Sequence, residues 1–281
     1  MAKKALLIGI NRYRIPGADL RGCVNDVQNI QGVLTQYYGF EAQEIKIVTD
    51  YEATKQAVQT EIATLLSKAR RGDVLFLHYS GHGSNVPDKN GDEADFRDEI
   101  LCPTDLDWQD PLLDDWLRQR FDALPAGVNL TVLMDCCHSG TITRRLEPPD
   151  APIIERYLPS PWDLMAVESS RQIRGAMRGQ RAEMRKKAKR SKEIVHVDMP
   201  EFLISGCRDT QTSADAYIKG SYNGALTYSL VAALKEKNGQ LSYRELHDRT
   251  IQLVKKGKYA QVPQLEGRSE YFDLPFLAPL Q

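Results

Sequence analysis

The sequence predicts an α/β domain, a mostly parallel central β-sheet with helices on both faces. Two observations carry this. From the amino terminus, apolar runs of strand length alternate with segments of helical period, the pattern of βαβ units. Two of the runs, Asp73–His78 and Asn129–Met134, lead into polar motifs, His-Tyr-Ser-Gly-His-Gly-Ser at 78–84 and Asp-Cys-Cys-His-Ser-Gly at 135–140. If those strands are parallel in one sheet, both motifs share its carboxyl edge, where open α/β sheets bind ligands.

Taken in order, Lys4–Ile10 is a short apolar run ending in Gly-Ile-Asn, a buried strand meeting a loop. Gly22–Tyr38 spaces Val24, Val27, Ile30, Val33, Leu34 and Tyr37 as a helix does, and Gly39 follows as a stop. Glu44–Thr49 alternates like a strand. Thr54–Ala69 is helical, with Val58, Ile62, Leu65 and Leu66 on one face. Gly81–Pro111 is polar and rich in Asp, Gly and Pro, which predicts a long loop of the kind that carries function. Leu112–Phe121 reads as a short helix, and Leu130–Met134 and Glu201–Ser205 as strands. Asn223–Lys237 reads as a helix with Leu226, Leu230, Ala233 and Leu234 inward. Ser242-Tyr-Arg-Glu245 is a capping box that opens a helix to Lys256. Tyr271–Phe276 is read as a last strand.

The bulk properties narrow the class. The chain has 281 residues, 42% apolar and 27% charged, and a formal net charge of −1, which gives no general pull toward nucleic acid or membrane. No apolar run is long enough to span a bilayer, and the basic-then-apolar start is too short for a signal peptide. Five cysteines, Cys23, Cys102, Cys136, Cys137 and Cys207, are odd in number with two adjacent. That is no disulfide framework and predicts a reducing, cytoplasmic setting. Arg171–Glu193 holds ten Lys or Arg against two Glu, an excess of 10 − 2 = +8. This block separates a large part, 1–165, from a small part, 198–281, with 166–197 as a basic linker between two portions of one domain.

A buried Cys after a strand is usually inert packing. Cys137, however, is followed by His-Ser-Gly, and a second strand end supplies Gly-His-Gly. Small neighbours leave a side chain accessible and let backbone N–H groups point inward. His82 precedes Cys137 by 137 − 82 = 55 residues, a spacing that suits a base placed upstream of a cysteine nucleophile.

The chain resembles the metacaspases and orthocaspases, caspase-like cysteine peptidases. The resemblance runs nearly end to end: Leu7-Ile-Gly-Ile-Asn-Arg-Tyr, Leu20-Arg-Gly-Cys-Val-Asn-Asp, the two motifs above, Asp98-Glu, Asp114-Asp115 and Ser205-Gly-Cys-Arg-Asp-Thr-Gln-Thr-Ser-Ala-Asp. It implies a caspase-like fold, with Cys137 as nucleophile, His82 as acid and base, and the N–H groups of Gly83 and Cys137 as the oxyanion hole. Cys136, His78 and His138 are read as structural. Asp26, Ser80 and Asp135 match the family's specificity pocket. Two carboxylates there favour a guanidinium or ammonium, so cleavage after Arg or Lys is expected. The competing reading has Asp26 cap a helix and Asp135 orient a loop.

No cofactor is expected to take part in the chemistry. Calcium-dependent relatives bind the ion through acidic residues, and Asp98, Asp114 and Asp115 stand at matching positions. Arg144 occupies the place of a further Asp, and a cation there opposes a hard dication. The loop from Asp88 to Glu99 only faintly echoes an EF-hand, since Glu93 replaces the required Gly.

The basic block reads as a solvated segment, as a patch for an acidic partner, or as a substrate. It has no interleaved aromatics to stack on bases, so nucleic acid is not expected. An Arg/Lys-specific enzyme would find bonds after Arg171, Arg174, Arg178, Arg181 and Arg185, which predicts autocleavage or activation by another protease. Expected partners are proteins or peptides with Arg or Lys before the scissile bond. The resemblance suggests a monomer. Two alternatives stay open: a non-catalytic caspase-like module that binds basic peptides, and a nucleotide binder. The second lacks Gly-x-Gly-x-x-Gly after its first strand.

Overall fold

The computed structural model describes residues 1–88, 97–138, 153–165, 194–196, 199–207 and 211–280. Its strands are β1 (Lys3–Gly9), β2 (Ile45–Thr49), β3 (Val74–Ser80), β4 (Gly83–Pro87), β5 (Arg97–Leu101), β6 (Leu112–Leu113), β7 (Asn129–Asp135), β8 (Ile153–Glu155), β9 (Ile194–His196), β10 (Glu201–Ser205), β11 (Ala214–Ile218), β12 (Ser221–Gly224) and β13 (Gln264–Gly267). The helices are α1 (Cys23–Tyr38), α2 (Lys55–Leu66), α3 (Asp114–Asp122), α4 (Ala225–Glu236) and α5 (Tyr243–Lys256).

Seven strands form one sheet in the order β2-β1-β3-β7-β10-β13-β9. The pairs from β2 through β10 are parallel, and β13 runs antiparallel to β10. Every residue of β3 and β7 is buried, as expected of central strands covered on both faces. Alternate residues of β1 serve opposite cores. Leu6 and Ile8 pack with Val58, Ile62 and Leu65 of α2, while Ala5 and Leu7 pack with Val27, Ile30 and Leu34 of α1 and Leu230 of α4. The capping box at Ser242 and Glu245 forms as the sequence predicts.

Two readings are corrected. Gly81–Pro111 is not wholly loop: β4 and β5 pair antiparallel within it, and β5 pairs with β6. Its short strands carry the polar, Gly-containing composition that hides strand periodicity. Tyr271–Phe276 is no strand. Ser269–Tyr271 is a 3-10 turn, and the late strand is β13, whose four residues are too few to show a period.

The chain order places β2 on one side of β1 and β3 on the other. The crevice at the carboxyl ends of β1 and β3 is therefore the point where strand order reverses. Gly9, Ser80 and Asp135 stand side by side along that edge.

Candidate active site

The residues predicted for the pocket converge from three elements. Ser80 ends β3, Asp135 ends β7, and Asp26 lies in the first turn of α1. Gly9 lets that helix come close: a Cβ there would sit 2.7 Å from the Cys23 carbonyl oxygen. Asp26 does not cap its own helix. Its carboxylate accepts from Ser80 Oγ at 2.8 Å and from the Gly224 N–H at 3.0 Å. Asp135 accepts from Ser213 Oγ at 2.6 Å, from the Thr227 N–H at 2.9 Å and from Thr227 Oγ1 at 2.7 Å. Gly224 and Thr227 belong to the start of α4, so the positive end of that helix faces both carboxylates.

Asp215, on β11, completes the group and accepts from the Arg21 N–H at 2.8 Å. Sequence reasoning quoted Asp215 as the end of a motif without giving it a role. A guanidinium, that of Arg156, sits among the three carboxylates and is wholly buried. Its Nη2 is 2.7 Å from Asp26 and 3.2 Å from Asp215, and its Nη1 is 3.3 Å from Asp135 and 2.8 Å from Ser80 Oγ. Burial pushes the Asp26 carboxyl up to about 7; Arg156 opposes the shift and the charge of Asp135 adds to it. Apolar residues could fill such a space at no loss of stability. What the ion cluster provides is a seat for the planar guanidinium of Arg156.

The backbone of Arg156 meets the other predicted residues. Its carbonyl oxygen accepts from the Gly83 N–H at 3.1 Å and the Cys137 N–H at 3.2 Å. Gly83 lies against Cys137 so closely that any Cβ would overlap the Cys137 backbone. These are the two groups expected to hold an oxyanion, converging on one acceptor.

His82 is held from several sides. Its Nε2 is 2.8 Å from the Ala18 carbonyl, which can only accept, so Nε2 carries the hydrogen and Nδ1 the lone pair. Nδ1 is buried and has no hydrogen-bond partner among the described residues. The Tyr13 ring packs against the imidazole at 5.0 Å, and Tyr13 Oη accepts from the His82 N–H at 2.8 Å. Burial pushes the His82 pKa down to about 4, so the ring is neutral near pH 7 and able to take a proton.

Cys137 is buried, with Sγ 2.8 Å from Cys207 Sγ and hydrogen-bonded to the Ser213 N–H. Burial, reinforced by Cys207, raises its pKa well above the ordinary thiol value. A thiol so placed is protonated at neutral pH and needs a base to react. Cys136 and His78 are buried in packing, His78 with Nδ1 3.1 Å from the Leu133 carbonyl. His138 turns to Cys136 Sγ at 3.8 Å and Glu99 at 3.9 Å.

The family model for the metacaspase, peptidase C14 domain matches residues 3–145. The chain belongs to the metacaspase family. It is 35% identical over 94% of its length to Metacaspase-1 of Coccidioides immitis, covering 61% of that protein, and 34% identical over 94% to Metacaspase-1A of Aspergillus terreus, covering 70%. This metacaspase chain thus spans about three fifths of the first of these relatives. Among solved structures, a Geobacter sulfurreducens protein aligns over 100% of both chains at 24% identity and TM-score 0.67. Caspase-1 of Spodoptera frugiperda aligns over 95% of this chain and 90% of its own at 14% identity and TM-score 0.56. The fold is caspase-like.

The metacaspase carboxylates expected to hold calcium lie along β5 and the start of α3. Asp98 is buried on β5, and Asp114 and Asp115 open α3. Burial, with Glu99 and Asp115 nearby, pushes Asp114 up to about 6. Among the described residues, no three acidic, His or Cys side chains are grouped to hold a metal ion. Arg144 lies outside the described residues. Arg171, Arg174, Arg178, Arg181 and Arg185 lie outside them as well. No helix among the described residues is long and apolar enough to cross a membrane.

Proposed function

We propose that this chain is a cysteine endopeptidase that cleaves after Arg or Lys. The observation that carries the reading is the buried pocket of Asp26, Asp135 and Asp215, with a guanidinium seated in it and that residue's carbonyl on the Gly83 and Cys137 N–H groups. His82 Nδ1 takes the Cys137 proton, the thiolate attacks the carbonyl carbon, and the two N–H groups stabilise the oxyanion. Collapse expels the amine, which takes the proton from His82, and water then hydrolyses the thioester. Every group in this sequence belongs to the chain, and no step needs calcium. Full activity in the presence of a chelator is the expected result.

Lys should be accepted less well than Arg, because an ammonium cannot reach three carboxylates as a planar fork does. The protein acts on proteins or peptides, as a cytoplasmic monomer. The cleavable linker between the large and small parts is 166–193, shorter than the 166–197 read from sequence because Ile194–His196 is β9 of the central sheet. The test is hydrolysis of fluorogenic peptides ending in Arg, Lys, Gln or Asp, with Cys137→Ala and His82→Ala as controls. Arg should lead and both variants should be silent. Binding of Arg peptides without hydrolysis would instead favour the non-catalytic module.

A further inference from the structure

Arg156 is not a free ligand but a residue of this chain, and the strand around it is held on both sides as a substrate would be. Glu155, Ile154 and Ile153 of β8 pair antiparallel with Ala214, Asp215 and Ala216 of β11. The Arg156 N–H donates to the Ser213 carbonyl at 2.9 Å. Beyond the carbonyl, the Leu158 N–H donates to the Gly83 carbonyl at 3.0 Å, and Ser84 Oγ donates to the Leu158 carbonyl at 2.6 Å. Tyr157 and Leu158 are buried, and Tyr157 Oη donates to Asp163 at 2.9 Å. An added strand held by main-chain bonds, with one side chain in a pocket, is how clefts bind extended peptides.

We propose that Arg156–Tyr157 is a scissile bond of the chain itself, and that 153–158 blocks the cleft until it is cut. The inference rests on the Arg/Lys reading above and names the first substrate of that site. Cys137 Sγ must leave the Ser213 N–H and Cys207 to reach the carbonyl. A C–S bond forms, the C–N bond to Tyr157 breaks, and the Tyr157 nitrogen leaves as an amine with the proton from His82. Water then cleaves the thioester and restores the thiol, so one water is consumed and no oxidant is needed. Cys137 and Arg156 are separated by 156 − 137 = 19 residues of the same chain. The cut is therefore intramolecular, and its rate is independent of protein concentration. After the cut, Arg156 is a carboxylate product no longer tethered to Tyr157, and it can leave the pocket to external substrate.

The experiment follows freshly purified wild type, Cys137→Ala and Arg156→Gln over time. Intact mass and terminal sequencing are read beside hydrolysis of acetyl-Ile-Ile-Glu-Arg-aminomethylcoumarin. Wild type should yield 1–156 and a fragment beginning at Tyr157, at one rate across a hundredfold dilution. Peptide hydrolysis should lag until that cut has occurred. Cys137→Ala should stay whole. Arg156→Gln should lose this cut by on the order of 100-fold or more, and with 153–158 uncut its peptide hydrolysis should stay low, without the rise that follows the cut in wild type. Because the wild-type and Cys137→Ala arms leave Arg156 unchanged, they decide the cut even if Arg156→Gln folds poorly. Steady peptide hydrolysis from time zero with Arg156–Tyr157 intact would overturn this inference and leave the Arg/Lys reading standing. A Tyr157 terminus from Cys137→Ala would also overturn it. If neither wild type nor Arg156→Gln cleaved the peptide and no bond were cut, both readings would fall.

Discussion

Asp135→Asn isolates the charge of the pocket from its shape. The carboxylate accepts from Ser213 Oγ with one oxygen and from both Thr227 donors with the other, and it faces Arg156 Nη1 at 3.3 Å. An amide has one acceptor oxygen. Turned toward Thr227, it keeps both Thr227 bonds, and its NH2 can donate to Ser213 Oγ if that hydroxyl rotates. What is lost is the charge facing the guanidinium. A hydrogen bond to a charged group contributes about 1.5–3 kcal/mol, against about 1 for a neutral pair. The geometry at 3.3 Å favours the lower half of that difference, so roughly 0.5–1.2 kcal/mol should be lost. That predicts kcat/KM for an Arg peptide lower by about 2- to 8-fold. The assay uses fully processed enzyme and compares peptides ending in Arg and in Gln. Asp135 adjoins Cys136 and Cys137, so a general disturbance would slow both peptides together. Loss of the charge should slow only the Arg peptide. An unchanged ratio of Arg to Gln cleavage would refute the pocket.

Three further outcomes follow from the same geometry. Asp26 sits at about 7 even with a guanidinium beside it, and an empty pocket holds it higher because Arg156 opposes the shift. Deprotonated Asp26 binds a cation better, so KM for Arg peptides should fall as pH rises through and above 7, by up to about tenfold per unit. Asp26→Asn should flatten that profile, and a slope that survives the substitution would count against the assignment. Burial lowers His78 and His82 from 6.5 to about 4, so the unfolded chain binds more protons between those values. Stability, full above pH 6.5, should drop as pH falls toward 4, by roughly 3 kcal/mol per histidine. In a Cys137→Ala background, urea unfolding at pH 7 and 4.5 should show His78→Gln losing much less than its parent. Cys207→Ala removes the neighbour that helps raise the Cys137 thiol, so alkylation of Cys137 by iodoacetamide should be faster at pH 7. An unchanged rate would mean that burial alone sets the thiol.

Outside 81–111, strand and helix periodicity along 1–135 was legible because each central strand is buried on two faces and long enough to show its period. The edges were not: β8, β11, β12 and β13 have three to five residues, and their composition is set by what they pair with. At the site, Ser80, His82, Gly83, Asp135 and Cys137 were legible because each lies at or just past the end of a long buried strand. Their motifs pack chemistry into a few consecutive residues. Asp215 stood at the end of a quoted motif, but nothing local marked it as part of an acidic group.

Arg156 is the sharpest case. The chain has 37 Lys and Arg, and the densest run of them, 171–193, drew the sequence reading to a processing site there. Nothing in Ile153-Ile-Glu-Arg-Tyr-Leu158 separates its arginine from the others. The sequence by itself placed His82 and Cys137 just past the ends of two strands, and Ser80 and Asp135 at those ends, since covalent neighbours at strand ends are fixed by the chain. Tertiary structure alone decided which arginine enters the pocket. That depends on β11 offering the edge that β8 pairs with, on Gly83 offering a carbonyl and an N–H, and on three carboxylates brought together from α1, β7 and β11.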